Sequence, residues 1–453
     1  MSKLRKVLDM FKRYGPAGFF NKLDEKLHAP YRDYDQHIKE YLPSKEELEE
    51  QKRRQSEFPK RPLISIVVPT YETNERFLTD LLDSVKNQTY SNWELVFADG
   101  SSTDQVKKTL ESYQKLNPEL SDGESKIRYV KLEKNGGISE NTNGGIRAAT
   151  GEYIAFMDHD DVLTENALYE VAAALNERPY RLLYTDEDKA NRDLTHYEQP
   201  HFKKDFDLEL LRTNNYICHF LVLDAELLHE TGGFRSEYDG SQDYDLTLRA
   251  VEKIVFPKGH YEHTGRDKIC HISRICYHWR MHDASTAGNS SSKSYTVSAG
   301  KRAVEAHFER LGIEAAVEER IEVGCYRITY PLSRIFSDPE IIWCIGDGVM
   351  PRDGAKEELL RTVAQEGVSA ACGKVYAKDG TIDEAGHLIG KDGSDVKQFH
   401  GLKGSFKGYE RRAVLKQETD SIGEVFAVIR KDCYGKQGYR MIFDPDAVAD
   451  RKE

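Results

Sequence analysis

The sequence predicts an α/β chain built on a parallel sheet with helices on both faces. Three observations carry this. First, apolar or β-branched runs alternate with helical patterns in the order β-α-β-α-β-α-β between residues 63 and 161. Second, each of those runs stops in polar or small residues, as a ligand crevice along the carboxyl edge of a sheet requires. Third, the run Tyr153 to Met157 ends in Asp158-His159-Asp160-Asp161, three carboxylates within four residues. Crowded carboxylates repel one another unless a cation lies among them, and a hard divalent ion takes oxygen ligands. The stretch therefore reads as a metal site at a strand end. The plainer reading is a solvated acidic turn, with Thr164 as N-cap of a helix from Glu165 to Leu175.

Composition narrows the class. A length of 453 residues allows roughly two or three domains. The net charge of −12 argues against a broad nucleic-acid footprint, so no nucleic-acid partner is expected. No apolar run approaches the length of a membrane span, and no apolar segment of a secretory signal follows the basic N-terminus. The seven cysteines are scattered and form no CxxC pair, which predicts reduced thiols in a cytoplasmic protein.

In chain order, residues 1–60 predict a helical extension. Leu4, Val7, Leu8 and Phe11 have helical spacing among basic residues. Such a helix either packs on its own protein or lies on an anionic membrane surface, so a peripheral contact through residues 1–28 is one expectation. Ser44 to Glu47 reads as a capping box opening a charged helix to about Glu57. The first strand, Leu63 to Val68, stops at Pro69-Thr70-Tyr71-Glu72. The second, Trp93 to Ala98, ends at Asp99-Gly100-Ser101-Ser102-Thr103-Asp104. The third, Ile127 to Leu132, ends at Lys134-Asn135-Gly136-Gly137, and Tyr153 to Met157 is the fourth. Further strands are expected at Tyr180 to Tyr184, ending in Thr185-Asp186-Glu187-Asp188, and at Ile275 to His282. Gln242-Asp243 opens a helix between them. The Ser/Gly/Ala-rich segment Ala284 to Ser294 predicts a mobile loop, and a helix from about Ser298 to Leu311 closes the domain. From about Gly324 the chain restarts, with strands expected at Ile341 to Ile345, Val368 to Tyr376, Asp383 to Gly390 and Val425 to Arg430. The resulting domains are 1–60, 61–323 and 324–453.

Seven stations in this order resemble family 2 glycosyltransferases, which have the GT-A fold and invert at the anomeric carbon. They are Val68 to Glu72, Ala98 to Asp104, Asn135 to Ser139, Gly151 to Asp161, Gly232-Gly233-Phe234, Gln242-Asp243 and Trp279-Arg280-Met281-His282. Any one is weak; the ordered set, over about residues 63 to 310, is specific. Ala98 and Glu72 depart from the Asp and Asn common at those positions. The resemblance implies a GT-A fold, a Rossmann-like mixed sheet flanked by helices. It also implies an enzyme that moves a sugar from a nucleotide-diphosphate donor, UDP- or dTDP-linked, to a saccharide or lipid-linked saccharide. Asp160 then resembles the direct ligand of a divalent cation, Mn2+ or Mg2+, with Asp158 facing ribose and Asp161 supporting the turn. Asp99 resembles the base-binding Asp, and Tyr71 is placed to stack on the base. Pro69, Glu72, Asn135 and Arg280 complete the nucleotide-sugar contacts, Arg280 at the diphosphate or ordering the loop after it. Asp243 resembles the general base, with Asp245 as the alternative. His282 is expected as a second metal ligand, with His278 as the alternative.

Thr185 to Lys189 and Asn214-Asn215-Tyr216 resemble a bacterial surface-polysaccharide subgroup, often rhamnose-transferring, in which a second such domain follows the first. The region from about Pro331 resembles the later half of that second domain, with Gly346-Asp347-Gly348 keeping one carboxylate. It is expected to be non-catalytic and to serve packing, acceptor binding or homodimer formation. With neither membrane spans nor the Gln-x-x-Arg-Trp motif of processive relatives, transfer of one sugar or a few is expected, in the cytoplasm or on the inner membrane face. The competing reading is a binding-only pseudoenzyme of a polysaccharide assembly complex.

Overall fold

The structure is a computed structural model and describes residues 24–25, 27, 30–120, 125–282, 292–332, 340–390 and 392–452. The basic helix expected over residues 1–28 and the loop at 284–294 fall largely outside these residues. Ahead of the first sheet lies helix α1 (Lys45–Arg54), whose N-cap Ser44 accepts from the Glu47 amide at 3.1 Å.

The first sheet holds nine strands. In chain order they are β1 (Ile64–Thr70), β2 (Trp93–Asp99), β3 (Ile127–Lys131), β4 (Tyr153–Phe156), β5 (Val162–Leu163), β6 (Leu182–Asn191), β7 (Tyr197–His201), β8 (Leu221–Asp224) and β9 (Ile269–Met281). The order is β3-β2-β1-β4-β8-β6-β9-β5, with β7 on β6. The half β3-β2-β1-β4 is parallel, as the alternation predicted. Beyond β4 the sheet turns mixed: β8 runs antiparallel to β4 and β6, while β9 runs parallel to β6. The parallel half followed by antiparallel pairing is a GT-A-like plan.

Helices cover both faces: α2 (Glu75–Lys86), α3 (Gln105–Leu116), α4 (Ile138–Ala148), α5 (Ala167–Glu177), α6 (Leu208–Thr213), α7 (Ala225–Thr231), α8 (Gln242–Val255) and α9 (Ser292–Leu311). Successive β1 side chains point to opposite faces. Ile64, Ile66 and Val68 pack with Leu78 and Leu81 of α2, Leu110 of α3 and Leu168 of α5. Val67 joins a second core with Leu248 and Val251 of α8 and Val304 of α9. Helix α4 lies close on β1 because position 145 is glycine; a Cβ there would sit 2.6 Å from Val67 Cγ1. The expected cap at Thr164 is corrected. Helix α5 begins at Ala167 with Asn166 as its cap, and Thr164 donates from Oγ1 to Asn166 Oδ1 at 2.8 Å.

A hairpin, β10 (Ala316–Glu319) with β11 (Tyr326–Thr329), leads into the second region. Its strands are β12 (Ile341–Ile345), β13 (Val349–Pro351), β14 (Val368–Tyr376), β15 (Ile382–Glu384), the hairpin β16 (His387–Ile389) and β17 (Asp395–Lys397), β18 (Gln417–Thr419), β19 (Phe426–Arg430) and β20 (Arg440–Arg451), with helix α10 (Ala355–Val363). The main order is β12-β19-β14-β20-β13, with β15 on β14 and β18 on β20. This repeats the later half of the first sheet, β4-β8-β6-β9-β5 with β7 on β6. The directions repeat as well: β12 with β19, β14 with β19 and β13 with β20 are antiparallel, and β14 with β20 is parallel.

The two sheets are joined through buried charge. Glu209 accepts from Arg212 and Arg440 at 2.9 Å each and from the Tyr330 hydroxyl at 3.1 Å. Glu418 accepts from Arg266 at 2.8 Å and from the Leu208 amide at 3.1 Å.

Candidate active site

The carboxyl ends of β1, β2 and β4 converge on one edge, because the three strands are parallel and in register. Asp99, the last residue of β2, is fully buried. Its Oδ1 accepts from the Ser101 amide (3.0 Å), the Ser101 hydroxyl (2.5 Å) and Thr70 Oγ1 (3.3 Å). Its Oδ2 accepts from the Tyr129 hydroxyl (2.8 Å) and Lys131 Nζ (3.2 Å). Burial acts to raise the Asp99 carboxyl, but these donors outweigh it and hold it below the usual range. Asp99 is therefore the anchor of two loops. Glu72 links the same loops, accepting from the Ser102 amide at 2.8 Å while its own amide donates to Ser101 Oγ at 2.7 Å. Beside them Tyr71 is 50% exposed. Pro69 lies in β1 beside this corner, and Asn135 Oδ1 closes the next loop by accepting from the Gly137 amide at 3.1 Å.

The acidic turn between β4 and β5 is tied down by β9. Asp161 Oδ1 accepts from the Arg280 amide at 2.7 Å, and Oδ2 accepts from the Tyr277 hydroxyl at 2.5 Å. Burial, then the neighbouring Asp160 and Asp158, push the Asp161 carboxyl well above its ordinary range. Asp158 is raised as well, chiefly by burial, against the pull of His219. One ligand atom each from Asp158, Asp161 and His219 lies within 4.8 Å of the others. Asp160 Oδ2 meets His282 Nε2 at 2.6 Å. Burial works to raise Asp160, and the hydrogen bond to His282 reverses it to a lowered value. The residues expected as metal ligands thus touch. His278 stands elsewhere, with Nδ1 2.5 Å from Asp188 Oδ1.

Arg280 corrects an expectation. Its side chain is fully buried, where an exposed phosphate contact was expected. Nε donates to the Asp160 carbonyl (2.5 Å), and Nη1 to Asp80 (2.9 Å) and the Arg192 carbonyl (2.8 Å). It braces the acidic turn against α2.

Asp243 sits in the first turn of α8 behind Ser241, the N-cap, so capping is not its task. Its Oδ2 accepts from Asn215 Nδ2 at 2.8 Å and the Cys218 thiol at 3.6 Å. Asp245, the alternative, is buried and clamped by Arg235 and Arg249. The segment from Asn215 to His219 thus reaches Asp243 at one end and Asp158 at the other. Sequence reasoning missed His219 and Cys218; the only signal was a polar pair one residue ahead of β8. It also missed the roles of the Asp186-Glu187-Asp188 run. Asp186 takes His271 (2.8 Å) and Asp188 takes His278. Burial would raise Glu187, but nearby Lys203 outweighs it and brings the carboxyl down to about 2.

Residues 65–232 match the family model "Glycosyl transferase family 2". An O-antigen biosynthesis protein, RfbC, of Myxococcus xanthus is 35% identical over 274 residues, which is 60% of this chain and 20% of that protein. An uncharacterised protein, y4gI, of Sinorhizobium fredii is 39% identical over 251 residues, 55% of this chain and 26% of that protein. The chain therefore spans about a quarter or less of these relatives' lengths. The solved structure of S. aureus TarS residues 1–349 with UDP-GlcNAc superposes with a TM-score of 0.42 at 21% identity, over 55% of this chain and 68% of that one. Asp243 and His282 lie past the matched residues and join the corner only through the fold. Residues 65–232 are thus the segment in which the chain resembles glycosyl transferase family 2.

Proposed function

We propose that the first sheet is a metal-dependent, inverting glycosyltransferase domain. It moves a sugar from a UDP- or dTDP-linked donor to a hydroxyl of a saccharide or lipid-linked saccharide. The observation that carries the reading is the gathering of Asp158, Asp160, Asp161, His219 and His282 on one strand-end corner, with Asp243 tied to it through Asn215 and Cys218. The carboxylate oxygens are donors that fit Mn2+ or Mg2+, and the imidazole nitrogens make Mn2+ the better match of the two. When bound, such an ion offsets charge on the diphosphate leaving group.

Asp160 and His282 are assigned as ligands and Asp158 as the carboxylate toward ribose, while Asp161 keeps the turn locked on β9. Tyr71 offers its exposed face to the base over the corner that Asp99 holds, and Pro69, Glu72 and Asn135 shape the adjoining loops. Asp243 accepts the proton of the acceptor hydroxyl as that oxygen attacks the anomeric carbon. Asn215 fixes Oδ2 and leaves Oδ1 for the proton. A single displacement opposite the leaving group inverts the configuration. The name of the Myxococcus relative supports a product in cell-surface polysaccharide, and transfer of one sugar or a few is proposed.

The test is incubation with Mn2+ and a panel of UDP- and dTDP-sugars. Donor hydrolysis or thermal stabilisation is expected, and both should vanish in Asp160→Ala. Failure of every nucleotide sugar to bind in the presence of metal would overturn the reading. A binding-only reading is favoured for the second region alone, by its Gly346-Asp347-Gly348 turn. Residues 324–453 are assigned as a partial, non-catalytic copy, and residues 1–60 as an extension.

A further inference from the structure

A cavity of about 310 Å3 lies between the two sheets, away from the acidic corner. Arg212 and Phe256 line it from the first region, and Tyr330, Arg361 and Arg440 from the second. The Arg212 and Arg440 side chains are each 2% exposed. Burying a guanidinium is costly unless its N–H groups find acceptors. These two share one oxygen, Glu209 Oε1. Arg212 Nε donates to His307 Nε2 at 3.2 Å, and Arg440 Nη2 to the Glu366 carbonyl at 3.3 Å. Arg212 Nη2, Arg440 Nε and Gln365 Nε2 remain buried without an acceptor among the described residues. Glu418 lies 3.8 Å from Arg440 but is held by Arg266 at 2.8 Å. His307 adds no charge at neutral pH, because burial brings its pKa down to about 4. The rim is opposite in sign: Glu314 and Glu366 are exposed, where water solvates them.

We propose that this cavity binds a small, hydroxyl-bearing molecule through a single oxyanion group, a carboxylate or a phosphate. The unpaired guanidinium N–H groups on the floor supply charge-assisted hydrogen bonds to the oxyanion. The rim carboxylates accept from hydroxyls and repel a second anionic group. The volume is near the lower end of small-molecule sites, about 300–1,000 Å3. A uronic acid and a sugar phosphate are the two sources of that chemistry. The proposal stands independently of glycosyl transfer.

Calorimetric titration of the full chain with glucuronate, glucose-6-phosphate, glucose and inorganic phosphate tests it. At least one anionic sugar should bind and glucose should not. Binding by glucuronate alone assigns a carboxylate ligand, and by glucose-6-phosphate alone a phosphate ligand. Ala364→Phe places a ring in the cavity and leaves the charged residues of the floor in the sequence; it should abolish binding while the protein still melts cooperatively. Arg361→Gln, on the part-exposed wall, should weaken it about tenfold, the loss of one charge-assisted hydrogen bond. Asp160→Ala should leave this binding intact. The proposal is overturned if neither anionic sugar binds at millimolar concentration. It is equally overturned if glucose or inorganic phosphate binds as tightly as the anionic sugars, or if folded Ala364→Phe binds unchanged.

Discussion

In the first sheet β4 pairs with β8 on one side and β1 on the other; in the second, β12 pairs with β19 and, among the described residues, with no strand on its other side. The later half of the plan is otherwise shared, with β18 added on β20 in the second. Each of these two strands, β4 and β12, ends in a turn and a short strand that pairs antiparallel with the last long strand. In the second region that turn is Gly346-Asp347-Gly348, closed by backbone alone: the Gly346 amide donates to Val425 O (2.9 Å) and the Val349 amide to Gly346 O (3.1 Å). Gly348 supplies a positive φ of 72°, which glycine adopts without strain. The fold therefore makes this turn without a carboxylate cluster. Asp158 and Asp160 in the first turn are not there to close it, whereas Asp161, bonded to Tyr277 and Arg280, is. The other differences point the same way. Among the described residues, the second region has no counterpart of β1–β3, which position Asp99 and Tyr71. Between β8 and β9 lie α7 and α8, with Asp243; between β19 and β20 lies only a turn over residues 431–439.

The comparison can be broken at several points. The largest effect is expected from Asp243→Asn, a side chain the second region does not possess. Turnover should fall on the order of a thousandfold with donor affinity retained, measured by steady-state kinetics beside direct donor titration. An unchanged rate would remove α8 from the chemistry. Next is Glu209→Gln at the junction of the sheets. It leaves Arg212 and Arg440 buried without their shared carboxylate, at a cost of about 3–5 kcal/mol in denaturant unfolding. A loss under about 1 kcal/mol would show that the sheets do not depend on that network.

The same junction should respond to acid. His307 titrates at about 4 in the fold against an ordinary 6.5, so between those values the unfolded chain binds the extra proton. Stability is then present above pH 6.5 and is lost as pH falls toward 4, on the order of 3 kcal/mol. Glu209, held at about 2 against an ordinary 4.5, extends the loss from pH 4.5 downward; burial alone would raise it, and Arg212 and Arg440 reverse that. His307→Gln should flatten the upper part of the profile in melts at pH 7 and 5; an unaltered slope would assign it to other groups. The smallest effect is Tyr71→Ala, expected to raise donor KM about tenfold through lost stacking, with turnover kept. Equal losses in both parameters would place Tyr71 nearer the reacting atoms.

Much of the first sheet was legible because β1 to β4 are rich in apolar and β-branched residues and end in polar ones. The acidic turn was legible for the same reason. Strand β5 has two residues, too few for any periodicity. Strand β20 was hidden because Asp444-Pro445-Asp446 interrupts its pattern. The interruption is a bulge, where Gly373 faces Asp444 and Lys374 faces Val448, and Asp444 is neutralised by buried Lys416 at 2.7 Å. Such a partner, remote in sequence, cannot be read from a local pattern. Arg280 misled for a related reason. Its position beside the acidic turn suits a phosphate contact, and only packing against Phe77 and Asp80 of α2 turns it inward. His219 was missed because it lies in irregular chain before β8, placed by long-range pairing alone.

The most direct test of the contrast between the two turns is nucleotide affinity with and without metal in a matched pair of variants. UDP is titrated into the wild type, Asp160→Ala and Asp347→Ala, in Mn2+ and in chelator. The account predicts that Mn2+ tightens UDP binding in the wild type and in Asp347→Ala alike, and has no effect in Asp160→Ala. Metal-dependent binding that survives Asp160→Ala, or is lost in Asp347→Ala, would contradict it.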